Sequence, residues 1–131
     1  MGEAFVLDTS AVIKYLNESF PEKGYDFVDK EFTNGNTLLS VISRIELLAW
    51  KPTNAEEINV YEDFIACSEI IPITEAIILK TIEVRRDYKL KLPDAIIAST
   101  ALVLNRTLLA DNDLDFLRIP NLKYINPRTL S

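Results

Sequence analysis

Five short apolar runs recur along this chain, and helical patterns rather than tight turns separate nearly all of them. The runs are Ala4–Leu7, Thr37–Val41, Ile70–Ile73, Thr107–Ala110 and Leu122–Ile125. Strands parted by helices cannot pair as hairpins; they need crossovers, and crossovers build a mainly parallel sheet with helices on both faces. The pattern predicts an α/β fold, a three-layer α/β/α sandwich with a mainly parallel central sheet. A length of 131 residues suits a single domain over 1–131 with a sizeable core, and a hydrophobic fraction of 48% argues against disorder.

The helical stretches are marked by their ends. Ala11 to Asn17 follows the first strand. Ser19-Phe20-Pro21-Glu22 offers a cap serine, a proline and a glutamate for a helix from Pro21 to Phe32, weakened by Gly24. Asn34-Gly35-Asn36 is a turn. Ile42 to Trp50 is stopped by Pro52 and carries Ile42, Ile45 and Ala49 on one stripe. Asn54-Ala55-Glu56-Glu57 caps a helix with Ile58, Tyr61, Phe64 and Ile65 at helical spacing. Thr74 caps a long helix to about Lys89, with a stripe of Ile77, Ile78, Ile82 and Val84 or Arg85. Pro93 opens the last, to Asn105.

Composition narrows the chemistry. No run reaches the roughly 20 apolar residues of a membrane helix; the longest, Leu92 to Asn105, is interrupted by Asp94, Ser99 and Thr100. Glu3 stands where a basic leader would begin, so neither membrane nor export is expected and the location is cytoplasmic. Cys67 is the single cysteine, which excludes an internal disulfide and, beside Phe64, Ile65 and Ala66, reads as a buried structural thiol. Histidine is absent. Ser-His-Asp and Cys-His nucleophiles, imidazole acid–base catalysis and histidine-bound zinc are excluded with it. Hydrolysis would have to rest on carboxylates, which favour hard cations such as Mg²⁺ or Mn²⁺. A net charge of −6 opposes broad nucleic-acid binding, although Lys80, Arg85, Arg86, Lys89 and Lys91 form a local basic stretch. That stretch is either a solvated helix face or an edge following a phosphate backbone.

Three isolated carboxylates stand out. Asp8 is the only charge between Glu3 and Lys14, at the carboxyl end of the first strand, where open parallel sheets place their ligands. Glu46 lies in the helix after the second strand, flanked by Ser43 and Trp50; a surface glutamate is the simple alternative. Asp94 is the only charge between Lys91 and Arg106, in the first turn of an apolar helix, where capping would also explain it. A fourth acidic group, Asp111, Asn112, Asp113 and Asp115, begins where the fourth strand ends; a solvated turn is the plain reading. Carboxylates converging on one rim repel by several kcal/mol at about 4 Å, so they are either protonated or held by a divalent cation.

In order, Leu7-Asp8-Thr9-Ser10, Ser43-Arg44-Ile45-Glu46-Leu47, Leu92-Pro93-Asp94-Ala95-Ile96-Ile97-Ala98, Thr107-Leu108-Leu109 with Asn112-Asp113-Leu114-Asp115-Phe116, and Ile119-Pro120-Asn121-Leu122 resemble a PIN-domain ribonuclease of the VapC toxin type. The resemblance covers nearly the whole chain. It implies a PIN-like sandwich, an acidic pocket for Mg²⁺ or Mn²⁺, and endoribonuclease activity on structured RNA such as tRNA or rRNA. By position Asp8, Glu46 and Asp94 match three of the family's acidic residues, while the fourth position falls on Asn112 or Asp115, with Asp111 or Asp113 as stand-ins. Ala110 departs from the family's usual threonine. The implied roles are Asp8 and Asp94 on the cation and Glu46 on the cation or a water. Thr9, Ser10, Asn112 and Asp113 would contact substrate or ligand water, unless the two hydroxyls merely cap the following helix. A cognate antitoxin and a homodimer are the implied partners, and Tyr15, Phe20, Tyr25, Phe27, Phe32, Trp50, Tyr61 and Phe64 would supply the dimer interface unless the core takes them. The rivals are a PIN-fold interaction module without turnover and a metal-dependent phosphatase or phosphotransfer domain; a dehalogenase-type phosphatase wants a second aspartate where Ser10 stands.

Overall fold

A computed structural model describes residues 3–49 and 55–130. Its elements run β1 (Phe5–Leu7), α1 (Thr9–Leu16), α2 (Glu22–Thr33), β2 (Thr37–Ser40), α3 (Val41–Ala49), α4 (Ala55–Ala66) and β3 (Glu69–Ile71). They continue with α5 (Glu75–Tyr88), α6 (Leu92–Leu104), β4 (Thr107–Leu109), α7 (Asp113–Phe116) and β5 (Tyr124–Ile125), ending in a 3₁₀ turn at Pro127–Thr129. The expected stop at Pro52, the cap at Asn54 and the place of Trp50 fall outside the described residues.

All five strands join one sheet in the order β3-β2-β1-β4-β5, and every pairing is parallel. Side chains alternate across it with the period of two that strands impose. Val6, Leu38 and Leu108 face a core shared with Ile77 and Val84 of α5 and Ala95, Ile97 and Ala98 of α6. Phe5, Leu7, Leu39 and Leu109 face the opposite core, with Val12 and Tyr15 of α1, Val28 of α2, Leu47 of α3 and Phe64 of α4. The three-layer sandwich expected from the alternation is the one observed.

The strand order turns back on itself between β1 and β4: from β1 the chain builds toward β2 and β3, and later returns to the other side. Open parallel sheets leave a crevice outside the carboxyl ends of the strands at such a reversal. Asp8 N–H donates to Leu109 O at 3.1 Å, tying the two strand ends together there. Beside them runs α6, buried on every residue from Ala95 to Ala101 because it lies between the sheet and α5. Such a helix must be apolar all round, as its sequence is.

Several local expectations need correction. Cys67 is exposed; it lies just past the last residue of α4, whose inward positions are Tyr61 and Phe64. The buried stripe of α5 is Ile77, Thr81 and Val84, while Ile78 and Ile82 face outward. Thr81 can be buried because its hydroxyl donates to Ile77 O at 2.7 Å. In α3 the inward residues are Ser43 and Leu47; Ile45 and Ala49 are exposed. Helix α2 starts behind Pro21 with no side-chain cap, so Ser19 does not cap it. Strand β3 sits earlier than Ile70–Ile73, and Ile73 is left exposed.

Gly24 has a packing reason. A Cβ there would stand 1.9 Å from Pro127 O, so α2 and the 3₁₀ turn touch only because the residue has no side chain. The described first-half aromatics are buried or partly buried around one core. Phe32 stacks on Phe64 with centroids 4.4 Å apart, Tyr15 stacks on Tyr25 at 5.3 Å, and Phe5 meets Phe27 edge-on at 5.4 Å.

Candidate active site

At the reversal point lies a cleft of about 320 Å³ lined by Asp8, Thr9, Ser10, Glu46, Asp94, Asp111 and Asn112 over an apolar base of Ile13 and Ile97. Residues from β1–α1, α3, α6 and the end of β4 meet there, so the three carboxylates isolated in sequence share one cavity.

Asp8 is the most deeply set, only 5% exposed. It caps α1 itself, accepting from Ala11 N–H at 2.8 Å, and Ser10 Oγ lies 3.1 Å from both of its oxygens. The alternative that Thr9 or Ser10 caps the helix is therefore not what occurs; both sit in its first turn. Burial pushes the Asp8 carboxyl up to about 6, against the lowering effect of these hydrogen bonds, and Asp94 pushes it further in the same direction.

Asp94 is half-buried in the first turn of α6, but it caps nothing. Lys91 holds the cap position without a side-chain bond, and no described residue hydrogen-bonds the Asp94 carboxylate. Its pKa is raised, first by desolvation and then by the charges of Asp115 and Glu46, with Lys91 opposing. Glu46 is no solvated surface glutamate either. Its Oε1 accepts from the Thr9 hydroxyl at 2.5 Å, and Thr9 Oγ1 also lies 3.0 Å from the buried Ser43 hydroxyl.

The fourth acidic group divides into bound and available members. Asp111 takes Lys14 Nζ at 2.6 Å, Asn126 Nδ2 at 2.8 Å and Arg128 Nε at 3.0 Å. Burial alone would raise its pKa; these three donors override that and hold it at about 2. Asp113 accepts from the Tyr124 hydroxyl at 2.7 Å and Asn126 at 3.0 Å, which lowers it. Asn112 caps α7 and donates its amide to Asp115 Oδ2 at 3.0 Å, while Arg118 stands 3.5 Å from the other oxygen. Asp115 is not in the cleft wall, but its charge reaches Asp94. Lys14, Tyr124, Asn126 and Arg128 were invisible in the sequence as parts of this corner. Three of them follow the last strand or lie in it, and nothing local points them back toward β4.

The donor set suits a hard cation, being oxygen throughout. Two carboxylates kept above their ordinary pKa by burial and mutual repulsion are what a divalent charge would relieve. Among the described residues no group of three or more acidic or thiol side chains is placed to hold a metal ion together. Mg²⁺ does not require one, since it commonly uses one or two carboxylates and keeps several waters.

A family model described as PIN domain matches residues 5–122. Among solved structures, VapBC2 from Rickettsia felis, bound to a DNA fragment from its promoter, is similar at 27% identity and TM-score 0.79, covering 94% of this chain and 98% of that one. VapBC-1 from nontypeable Haemophilus influenzae is similar at 26% identity and TM-score 0.77, covering 95% and 98%. A toxin–antitoxin complex from Klebsiella pneumoniae is similar at 25% identity and TM-score 0.70, also over 95% and 98%. No curated protein sequence matches the chain.

Proposed function

The chain belongs to the PIN domain family, and from that membership we propose that it is a Mg²⁺- or Mn²⁺-dependent endoribonuclease acting as the toxin of a toxin–antitoxin pair. The observation that carries the reading is the single cleft lined by Asp8, Glu46 and Asp94, brought from three distant parts of the chain to the strand-order reversal. PIN domains are generally nucleases, and this cleft holds carboxylates without any histidine to share the work.

Asp8 and Asp94 would hold the cation. Asp8 is aimed by Ala11 N–H and Ser10, and Asp94 keeps both oxygens free of hydrogen bonds among the described residues. Glu46 has one oxygen fixed by Thr9 and the other left for the cation or for orienting a water. Asp115, held by the Asn112 amide, adds negative charge behind Asp94 and is the fourth acidic member. Asp111 and Asp113 are occupied by hydrogen bonds and ion pairs, and of the two only Asp111 lies in the cleft wall. A bound divalent cation would supply Lewis-acid stabilisation of charge on the phosphoryl oxygens and a lowered pKa for the attacking water. Attack by water leaves a 5′-phosphate and a 3′-hydroxyl; attack by the ribose 2′-hydroxyl leaves a cyclic phosphate.

The toxin role draws on the Rickettsia, Haemophilus and Klebsiella likenesses, two of them VapBC structures and one a toxin–antitoxin complex. An antitoxin arginine or lysine entering the cleft would neutralise Asp8 and Asp94 and block the cation. The homodimer we propose uses the apolar groove formed by the exposed Ile73, Ile78, Ile82 and Leu92 over the buried Ile96, about 200 Å³ in volume. Ile82→Glu would then leave a monomer in sedimentation. No described helix is long and apolar enough to cross a membrane, and the site of action proposed is the cytoplasm.

The test is cleavage of total RNA by the purified chain with Mn²⁺, followed by end-group analysis. Metal-dependent products with 5′-phosphates, lost in Asp94→Asn, are expected. Cyclic phosphate ends, or an Asp94→Asn protein as active as wild type, refute the mechanism.

A further inference from the structure

Two cations rest on one carboxylate of the acidic cleft's wall, Asp111. Lys14 Nζ is 2.6 Å from Asp111 Oδ2, and Arg128 Nε is 3.0 Å from Asp111 Oδ1. The side chains of Lys14 and Arg128 are 39% and 56% exposed, whereas Asp111 is 11% exposed and lines the cleft. Lys14 spends one of its three N–H donors on this contact. Arg128 spends only Nε, and no described residue takes its two terminal nitrogens. Donors remain on both heads, directed by a shared anchor that fixes them side by side.

Architecture alone does not account for the second cation. Asn126 already bridges Asp111 and Asp113 and accepts from Arg128 N–H at 2.9 Å, so the carboxyl-terminal turn is fastened without the guanidinium. Nor does the surrounding charge invite an anion, since the chain carries −6 overall and the adjacent wall is acidic. A polyanion entering this cleft would meet Asp8, Glu46 and Asp94 with its reacting phosphate and would need positive charge under a neighbouring one.

We propose that Lys14 and Arg128, held in place by Asp111, form a subsite for a backbone phosphate flanking the scissile one. This rests on the nuclease reading and adds where the RNA strand is gripped. Asp111 is a positioning residue in it: it touches no substrate but sets the distance between the two cationic heads.

The experiment measures affinity for a single-stranded RNA oligonucleotide against monovalent salt, in an Asp94→Asn background that does not cut. Each phosphate contact on single-stranded nucleic acid contributes about 0.7 to the slope of log K against log salt, or about 5-fold in affinity at 0.1 M. The Lys14→Gln/Arg128→Gln protein should lose about 1.4 from the slope and bind about 25-fold more weakly at 0.1 M. Lys14→Arg should keep the slope, and Lys30→Gln, an exposed cation in the last turn of α2, should match the parent. A protein that is merely loosened loses affinity without losing slope, so the slope separates a contact from a structural effect. If the double variant does not fold, the single variants should each lose about 0.7. An unchanged slope overturns the subsite; if the wild-type protein still cuts RNA, the nuclease reading survives that result. Failure of the parent to bind or cut RNA at any salt overturns both.

Discussion

Asp8→Asn should make the metal-free protein more stable while removing its activity. The wild-type carboxyl is 5% exposed and its pKa is raised to about 6 by burial. A raised carboxylate binds its proton more tightly in the folded state than in the unfolded chain. Stability from this group is therefore full below the unfolded pKa of 3.8 and falls as pH rises toward about 6. Above that, ionised Asp8 costs the folded state about 3 kcal/mol, from a difference of about 2.2 pKa units at 1.36 kcal/mol each. At pH 5 the same linkage gives roughly half of that. Asparagine caps a helix about as well as aspartate, so the bond from Ala11 N–H survives, and the Ser10 hydroxyl can turn to accept from the new amide. Urea unfolding in EDTA should show Asp8→Asn ahead of wild type by about 2–3 kcal/mol near pH 7.5, with the gap roughly halved at pH 5. Adding Mg²⁺ should stabilise wild type by mass action and leave the variant little changed. A gap that does not depend on pH, or a variant less stable than wild type at pH 7.5, would refute the reasoning.

Three further perturbations probe the frame around the cleft. Gly24→Ala should destabilise by about 1–3 kcal/mol despite alanine's better helix propensity, because its Cβ must displace Pro127 O; thermal melting measures it. Ser99→Ala should stabilise by about 1 kcal/mol with cleavage unaffected, since the Ser99 hydroxyl is wholly buried and has no hydrogen-bond partner among the described residues. Asp111→Asn should cost about 1–2 kcal/mol near neutral pH, a figure reduced for the exposure of its cationic partners. Its carboxyl is lowered to about 2, so the stability it adds is present above 3.8 and is lost as pH falls toward 2. Acid unfolding should therefore find the variant's deficit shrinking over that interval.

The sheet and the three acidic positions could be read from the chain because each is announced locally. Val6 and Leu7 followed by a lone Asp8, or Asp94 ahead of an unbroken apolar helix, carry their meaning in a few adjacent residues. What escaped depends on contacts between distant segments. The stripe of α5 runs through Thr81 rather than Ile78 because α6 packs on that side and a backbone bond satisfies the hydroxyl. Gly24 looked like a weakness in α2 until Pro127, over a hundred residues on, was seen against it. The same holds for the acidic corner: Asp111, Asp113 and Asp115 are equivalent by spacing, and only Lys14, Tyr124, Asn126 and Arg128 tell them apart.

Asp8 and Asp94 ride on the two most immovable parts of the molecule, the middle strand's end and the helix enclosed between sheet and α5. Neither can migrate without disturbing the core packed against it, so the proposed cutting point has almost no freedom to drift during evolution. New tastes in substrate would come from the flank of the cleft, where Lys14 and Arg128 reach the surface around Asp111. Descendants of such a chain would share one blade and differ in the handles.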